Sequence, residues 1–228
     1  MTYVISPPPI PSLPVDGTAD LFPVNRIFCV GRNYADHARE MGDDPNREPP
    51  FFFLKPAAAL LPEGRDFPYP PLSHDVHYEF ELVVALSKGG ANIPPQDAPG
   101  HIFGYAVGLD MTRRDLQDQA KQLRRPWDAG KAFDHSAPCS RIVPATRIGH
   151  PRKGAIWLDV NGKRVQSSDI SALIWKIPEM IAALSALFTL APGDLIFTGT
   201  PAGVGPVQRG DLLHGAVDGV AELTLRVL

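Results

Sequence analysis

Prolines constrain this chain more than any other feature. Twenty-five of them, with 20 glycines, are spread along the sequence rather than gathered in a linker. Each proline removes a backbone donor and fixes φ, so long uninterrupted helices have little room and many short strands joined by turns are expected. The chain therefore reads as α+β and mainly β, with a few short helices. Its 228 residues suit one domain, whose core needs neither disulfides nor structural metal.

The charge balance excludes some classes of function. With 22 Lys+Arg against 25 Asp+Glu the formal charge is −3, and no basic run is longer than Lys121-Gln122-Leu123-Arg124-Arg125, so nucleic acid is not an expected partner. Two cysteines, Cys29 and Cys139, build no disulfide framework, and the start lacks the charged and apolar regions of a secretory signal, so a reducing, cytoplasmic setting is expected. No apolar stretch approaches the roughly 18 to 20 residues needed to span a bilayer, so no membrane role is expected.

Along the chain, Ser6–Pro11 reads as an extended polyproline-like arm, and residues 1–25 as a Pro-rich N-terminal segment before a single domain over 26–228. Ile27–Val30 is a buried-strand run ended by Gly31, followed by a polar helical stretch from Arg32 to Gly42. Asp43–Pro50 is almost free of apolar residues and reads as a mobile loop, after which Phe51–Leu54 resumes a core strand. From Tyr78 to Leu86 the chain reads as one strand, with Tyr78, Phe80 and Leu82 on one face and Glu79 and Glu81 on the other. Ile102–Leu109 is a further strand, and Asp110 is expected to open a helix. Ile156–Gln166 is a hairpin about Asn161-Gly162, Ile177–Phe188 an amphipathic helix with Pro178 in its first turn, and Leu195–Thr198 and Ala221–Leu228 are strands.

Four constellations carry chemistry. Glu79-x-Glu81 sets two carboxylates side by side, where like charges raise each other's pKa unless a cation sits between them; the bland alternative is a solvated strand face. Asp110, Arg114 and Gln117 stand at i, i+4 and i+7 and so share one helical face, although an Asp there also serves as a plain helix cap. Lys131 sits among small and aromatic residues, where a buried ammonium needs a partner. Three carboxylates for a hard divalent ion, with an Arg, a Gln and a Lys aimed at one point, would form an acid pocket with an anion-stabilising wall. Thr198–Pro206 is neither a phosphate loop nor a dinucleotide fingerprint; it is either a tight turn or a carboxylate-binding segment through freed backbone N–H groups and the Thr200 hydroxyl. His37 and Glu40, three apart, are either a weak surface ion pair or a dyad that activates water.

Taken in order, Gly31-Arg-Asn-Tyr-Ala-Asp-His37-x-x-Glu40, Lys55-Pro56, Glu79-x-Glu81, Gly108-Leu-Asp110-Met-Thr-x-Arg114-Asp-x-Gln117, Trp127-x-x-Gly130-Lys131 and Gly199-Thr200-Pro201-x-Gly203-Val204-Gly205-Pro206 resemble the fumarylacetoacetate hydrolase family over about residues 26–228. The likeness is greatest to its short acylpyruvate-hydrolase members, especially those of bacterial gentisate degradation. The resemblance implies a mixed β-sandwich roll, one Mg2+ or Mn2+ ion per subunit, no organic cofactor and a homodimer. It implies Glu79, Glu81 and Asp110 as metal ligands, and Lys131 with Gln117 and Arg114 as stabilisers of enolate or alkoxide oxygen. It further implies Thr200 as holder of the substrate carboxylate, and His37 with Glu40 as the water-activating dyad on a lid. One departure is Tyr78, where many relatives carry a histidine; this bears on tuning of the ligands and leaves them intact.

The implied reaction is hydrolysis of a carbon–carbon bond in a 2,4-dioxo acid, fumarylpyruvate to fumarate and pyruvate. Oxaloacetate decarboxylation, isomerisation or decarboxylation of homoprotocatechuate-pathway diacids, and a non-catalytic binding role are the alternatives, the last predicting a broken ligand set. A second substrate carboxylate needs a cation, and Arg32, Arg39, Arg113, Arg124 and Arg125 are equal candidates by sequence.

Overall fold

In the computed structural model, residues 2–40 and 48–228 are described, with Ala38 and Arg39 described by their backbone alone. The loop expected over Asp43–Pro50 lies outside the described residues as far as position 47. Among the described residues the longest helix is Ile177–Leu187, of 11 residues, and the protein is mainly β with a few short helices, as the proline distribution demands.

A large mixed sheet organises the molecule. Its strands lie in the order Phe51–Pro56, Arg26–Gly31, Leu195–Phe197, Phe80–Leu86, Ile102–Leu109, Ala137–Cys139 and Leu60–Pro62, with Val143–Pro144 also beside Ile102–Leu109. Leu195–Phe197 runs parallel to Arg26–Gly31, and Ala137–Cys139 parallel to Leu60–Pro62; the other pairs are antiparallel. The central Phe80–Leu86 strand is buried at every position because both faces of the sheet are covered. Phe80, Leu82, Val84 and Leu86 face a core shared with Ile156, Leu158, Leu213 and Leu223, which come from the antiparallel sheet of Lys163–Asp169, Ala155–Val160, Leu212–Val217 and Ala221–Arg226. Val83 and Ala85, one pleat away, face a second core with Leu13, Val15, Phe22 and Val24. Truncating Leu82, which is fully buried, to Ala would cost about 2–5 kcal/mol.

Four expectations are corrected here. Residues 12–24 do not stand apart as an arm: Ser12–Pro14 and Leu21–Pro23 pair as a hairpin whose apolar side chains fill that second core, leaving only the stretch before Ser12 extended. Phe51–Leu54 is no core strand. It lies at the sheet edge with one neighbour, its three phenylalanines are half-buried, and Leu54 is exposed. The strand expected over Tyr78–Leu86 is broken at Glu79: Val76–Tyr78 joins a small sheet with Thr112–Arg113 and Gly205–Pro206, and Phe80 starts the large one. Finally, Asp110 does not open a helix. Its N–H donates to the Glu79 carbonyl at 2.8 Å, extending the Phe80–Leu109 pairing by one residue, and the helix begins only at Arg114. The hairpin about Asn161-Gly162 is present, with both residues at positive φ as a two-residue primed turn requires.

Candidate active site

The break at Glu79 and the late helix start bring the acid residues together. Glu79 and Glu81 flank the first residue of the central strand, Asp110 ends the strand beside it, and one carboxylate oxygen from each lies within 4.8 Å of the others. All three are buried, at 6, 2 and 1 % exposure, which excludes a solvated strand face.

Cations surround two of the three. Lys131, ending the short Asp128–Lys131 helix, places Nζ 2.9 Å from Glu79 Oε2 and 2.8 Å from Asp110 Oδ2. Arg114 donates from Nη2 to Glu79 Oε1 at 2.5 Å and from Nη1 to Gln117 Oε1 at 2.6 Å. Gly130 lets the two short helices touch, since a Cβ there would stand 2.9 Å from the Gln117 nitrogen. Lys55 holds Nζ 2.8 Å from Asp110 Oδ1 and hydrogen bonds the carbonyls of Met111 and Lys131. Among the described residues Glu81 has no ammonium or guanidinium in contact; its Oε2 accepts the Gly199 N–H at 2.7 Å. Gly199 has φ +98°, and a Cβ on it would lie 2.8 Å from that of Asn33, so only glycine brings this donor to Glu81.

The electrostatics follow from these contacts. Burial pushes Glu79 up, but Lys131 and Arg114 outweigh it and hold the carboxyl well below its ordinary range. Glu81 goes the other way, raised by burial and by the charges of Asp110 and Glu79. For Lys131, burial lowers the pKa, and Asp110 with Glu79 more than reverses it, so the ammonium stays charged. The cluster thus has, among the described residues, no cation in contact with Glu81, while Asp110 Oδ1 is paired with the Lys55 ammonium. An all-carboxylate donor set in which the Glu81 charge has no cation against it fits a hard divalent cation.

His37 and Glu40 lie on the Ala35–Glu40 helix, beside the cluster. His37 is buried, and its Nδ1 stands 3.4 Å from Glu40 Oε2. Glu40 is also docked, because both its oxygens accept the Gly203 N–H at 3.0 and 3.1 Å. The structure thus joins the dyad to the Thr198–Pro206 segment, a connection the sequence did not suggest.

Thr200 is placed differently from expectation. Its hydroxyl donates to the Phe80 carbonyl at 2.9 Å and accepts from Gln166 Nε2 at 2.8 Å, so binding a substrate carboxylate through that proton requires giving up the Phe80 bond. Arg114 and Gln117 share a helical face as expected, while Asp110 reaches them from a strand end. Tyr78 is buried, with its hydroxyl close to Gly205.

Three residues that support the site were given no role in the sequence analysis, although two of them, Asn33 and Lys55, stand within its quoted motifs. Lys55 carried a signal, a lysine at the end of an apolar strand run. Asn33, fully buried, donates to the Thr198 and Trp175 carbonyls and accepts the Trp175 N–H, tying the dyad helix to the rest. Gln166, which joins Phe80 N, Thr200 and Pro201, sits in an otherwise polar hairpin strand and carried no signal.

A buried, cation-flanked cluster of three carboxylates at the end of a mixed sheet, with a His–Glu pair beside it, defines an enzyme-like acid site suited to a divalent ion. The chain belongs to the fumarylacetoacetate hydrolase family: residues 26–228 match the family described as "Fumarylacetoacetate (FAA) hydrolase C-terminal". Among relatives, it is 47 % identical to a fumarylpyruvate hydrolase of Ralstonia sp. over 184 residues, 81 % of this chain and 95 % of that one. It is 43 % identical to the mitochondrial oxaloacetate tautomerase of Homo sapiens over 201 residues, 88 % of this chain and 90 % of the relative. Among solved structures, it superposes with TM-score 0.97 and 53 % identity on fumarylpyruvate hydrolase from Pseudomonas aeruginosa in complex with Mn2+ and pyruvate, covering 100 % of this chain and 99 % of the other.

Proposed function

We propose that this protein is a fumarylpyruvate hydrolase, cleaving the carbon–carbon bond of that 2,4-dioxo acid to fumarate and pyruvate. The observation that carries the reading is the full-length likeness to the Pseudomonas aeruginosa enzyme, with the Glu79, Glu81 and Asp110 cluster intact. Those three residues would hold Mg2+ or Mn2+, which supplies Lewis acidity toward the 2-oxo acid end of the substrate. The chain's own groups do the rest. His37, oriented by Glu40, takes a proton from water as the oxygen adds to the 4-carbonyl. Lys131, with Arg114 and Gln117 behind it, faces the oxygen on which negative charge develops. The C3–C4 bond then breaks, its electron pair stays with the pyruvate fragment as an enolate, and the proton held by His37 returns to C3.

Comparing fumarylpyruvate, acetylpyruvate and oxaloacetate in one spectrophotometric assay tests the reading; fumarylpyruvate should have the highest kcat/KM, and a protein inert toward it would refute the proposal. The 43 % identity to an oxaloacetate tautomerase favours action on oxaloacetate as a second reading, which shares the enolate but needs no attacking water. The proposal includes a homodimer, on family grounds, which sedimentation equilibrium showing only a 24.8 kDa species would contradict. It also includes a cytoplasmic location. Two free, buried cysteines agree with a reducing setting, and among the described residues no helix is long and apolar enough to cross a membrane.

A further inference from the structure

Arg114, Gln117 and Lys121 stand at i, i+3 and i+7 on the Arg114–Gln122 helix and line the same cavity over the acid cluster. Arg114 touches Glu79 at its floor, and Lys121 stands two turns further out, at about 10 Å along the helix axis. Between them the wall is aromatic: Trp127 meets Phe51 and Phe53 edge-on at 5.8 and 5.9 Å, and the Lys121 ammonium lies 5.6 Å over the Trp127 ring. From the opposite side, Arg32 lines the cavity with its guanidinium over Phe51. It does so from a left-handed backbone at φ +54°, a conformation costly for a side chain of this size.

The floor cations are already committed. Arg114 and Lys131 are neutralised by Glu79 and Asp110. Among the described residues Lys121 has one acidic contact, Asp118 at 3.5 Å on an exposed face, where such a pair holds the side chain weakly. Its charge is therefore available at the outer end of the cavity. We propose that Lys121 determines specificity by receiving the second carboxylate of a diacid substrate whose keto-acid end lies at the acid cluster. This rests on the hydrolase reading above and adds to it the choice of acyl group. The carboxyl carbons of an extended seven-carbon dioxo diacid are roughly 7 Å apart, a span that Lys121 meets by folding its flexible stem back from its helical position. The flat conjugated middle of such an acid suits the aromatic wall. Arg125 is the competing cation, but it lines a neighbouring cavity of ≈ 440 Å³ whose lining residues do not include Glu79 or Arg114.

Steady-state kinetics on fumarylpyruvate and acetylpyruvate, which differ in that second carboxylate, test the proposal in wild type and in Lys121→Gln, Lys121→Arg and Arg125→Gln. Losing a charge-assisted hydrogen bond should raise KM for fumarylpyruvate about 10- to 100-fold in Lys121→Gln. Its kcat/KM for acetylpyruvate should stay within about twofold, as for a surface substitution away from the reacting atoms. Lys121→Arg should recover most of the loss, and Arg125→Gln should change neither substrate. Equal losses on both substrates in Lys121→Gln would make it a structural residue, and a fumarylpyruvate-selective loss in Arg125→Gln alone would move the receptor to the other cavity; either overturns the proposal. A wild-type protein that cleaved neither acylpyruvate would instead refute the hydrolase reading, and this inference with it.

Discussion

The acid cluster and the His37 helix meet at one site but are built in opposite ways. Glu79, Glu81 and Asp110 are fixed by neighbouring strands of the central sheet, by buried ion pairs to Lys131, Arg114 and Lys55, and by the Gly199 amide. His37 and Glu40 ride on a helix of six residues, held by Asn33 and by the Gly203 amide. Groups that bind and polarise are locked into the sheet, where shifting one would strand a buried charge. The group proposed to move a proton sits on a small element outside that sheet. The difference teaches that the two halves of the chemistry should separate under mutation.

His37→Ala should give the widest separation. It should cost roughly 10²–10⁴ in kcat for fumarylpyruvate, the usual range for a positioned acid–base group, and much less in oxaloacetate turnover. Kinetics of both reactions at saturating Mg2+ decide this, and parallel losses would mean that the dyad serves only docking. Lys131→Met should erase the separation, because the ammonium touches both Glu79 and Asp110. A loss of roughly 10²–10³ in kcat is expected for both reactions. Unfolding free energy should fall in denaturant melts by less than the roughly 3–5 kcal/mol of a fully broken buried pair, since Glu79 keeps Arg114 and Asp110 keeps Lys55.

Glu81→Gln should lower metal affinity while stabilising the metal-free protein. The raised pKa of Glu81 means its stabilising contribution is complete at low pH and is lost as pH rises through the folded-state value. Metal-free melting temperatures of variant and wild type should therefore diverge from pH 5 to pH 8, with the variant higher; a constant gap would place Glu81 in contact with solvent. Glu40→Gln should be the mildest change, costing about fivefold in hydrolysis for one orienting hydrogen bond of roughly 1 kcal/mol. Steady-state kinetics check this, and an unchanged kcat would leave Glu40 a purely structural link to Gly203.

The same contrast explains what could be read from the sequence. The acid cluster was legible because each member stands out against its surroundings: carboxylates inside an apolar strand run, and a lysine among small and aromatic residues. The reading erred on how Asp110 arrives. The i, i+4, i+7 spacing suggested a helix, but its backbone pairs with Glu79, and tertiary hydrogen bonding overrode local periodicity. Phe51–Phe53 read as core because hydrophobicity does not distinguish an edge strand lining a cavity from a central one. The Glu40–Gly203 contact joins residues 163 apart, and the role of Gln166 rests on bonds of 34 to 86 residues' separation. No local pattern encodes such partners. Leu13 and Phe22 were hidden among prolines that read as an extended arm, although their spacing lets both reach the second core.

In the proposed function Glu79, Glu81 and Asp110 hold the ion on which cleavage of fumarylpyruvate depends. Chelator-stripped protein titrated with Mn2+, following metal occupancy and hydrolysis together in wild type and Asp110→Asn, tests it most directly. Wild type should bind one Mn2+ per chain with activity rising in proportion to occupancy, and the variant should bind Mn2+ much more weakly and remain inactive at the concentration saturating wild type. Full hydrolysis at zero metal occupancy, or undiminished Mn2+ binding in Asp110→Asn, would contradict it.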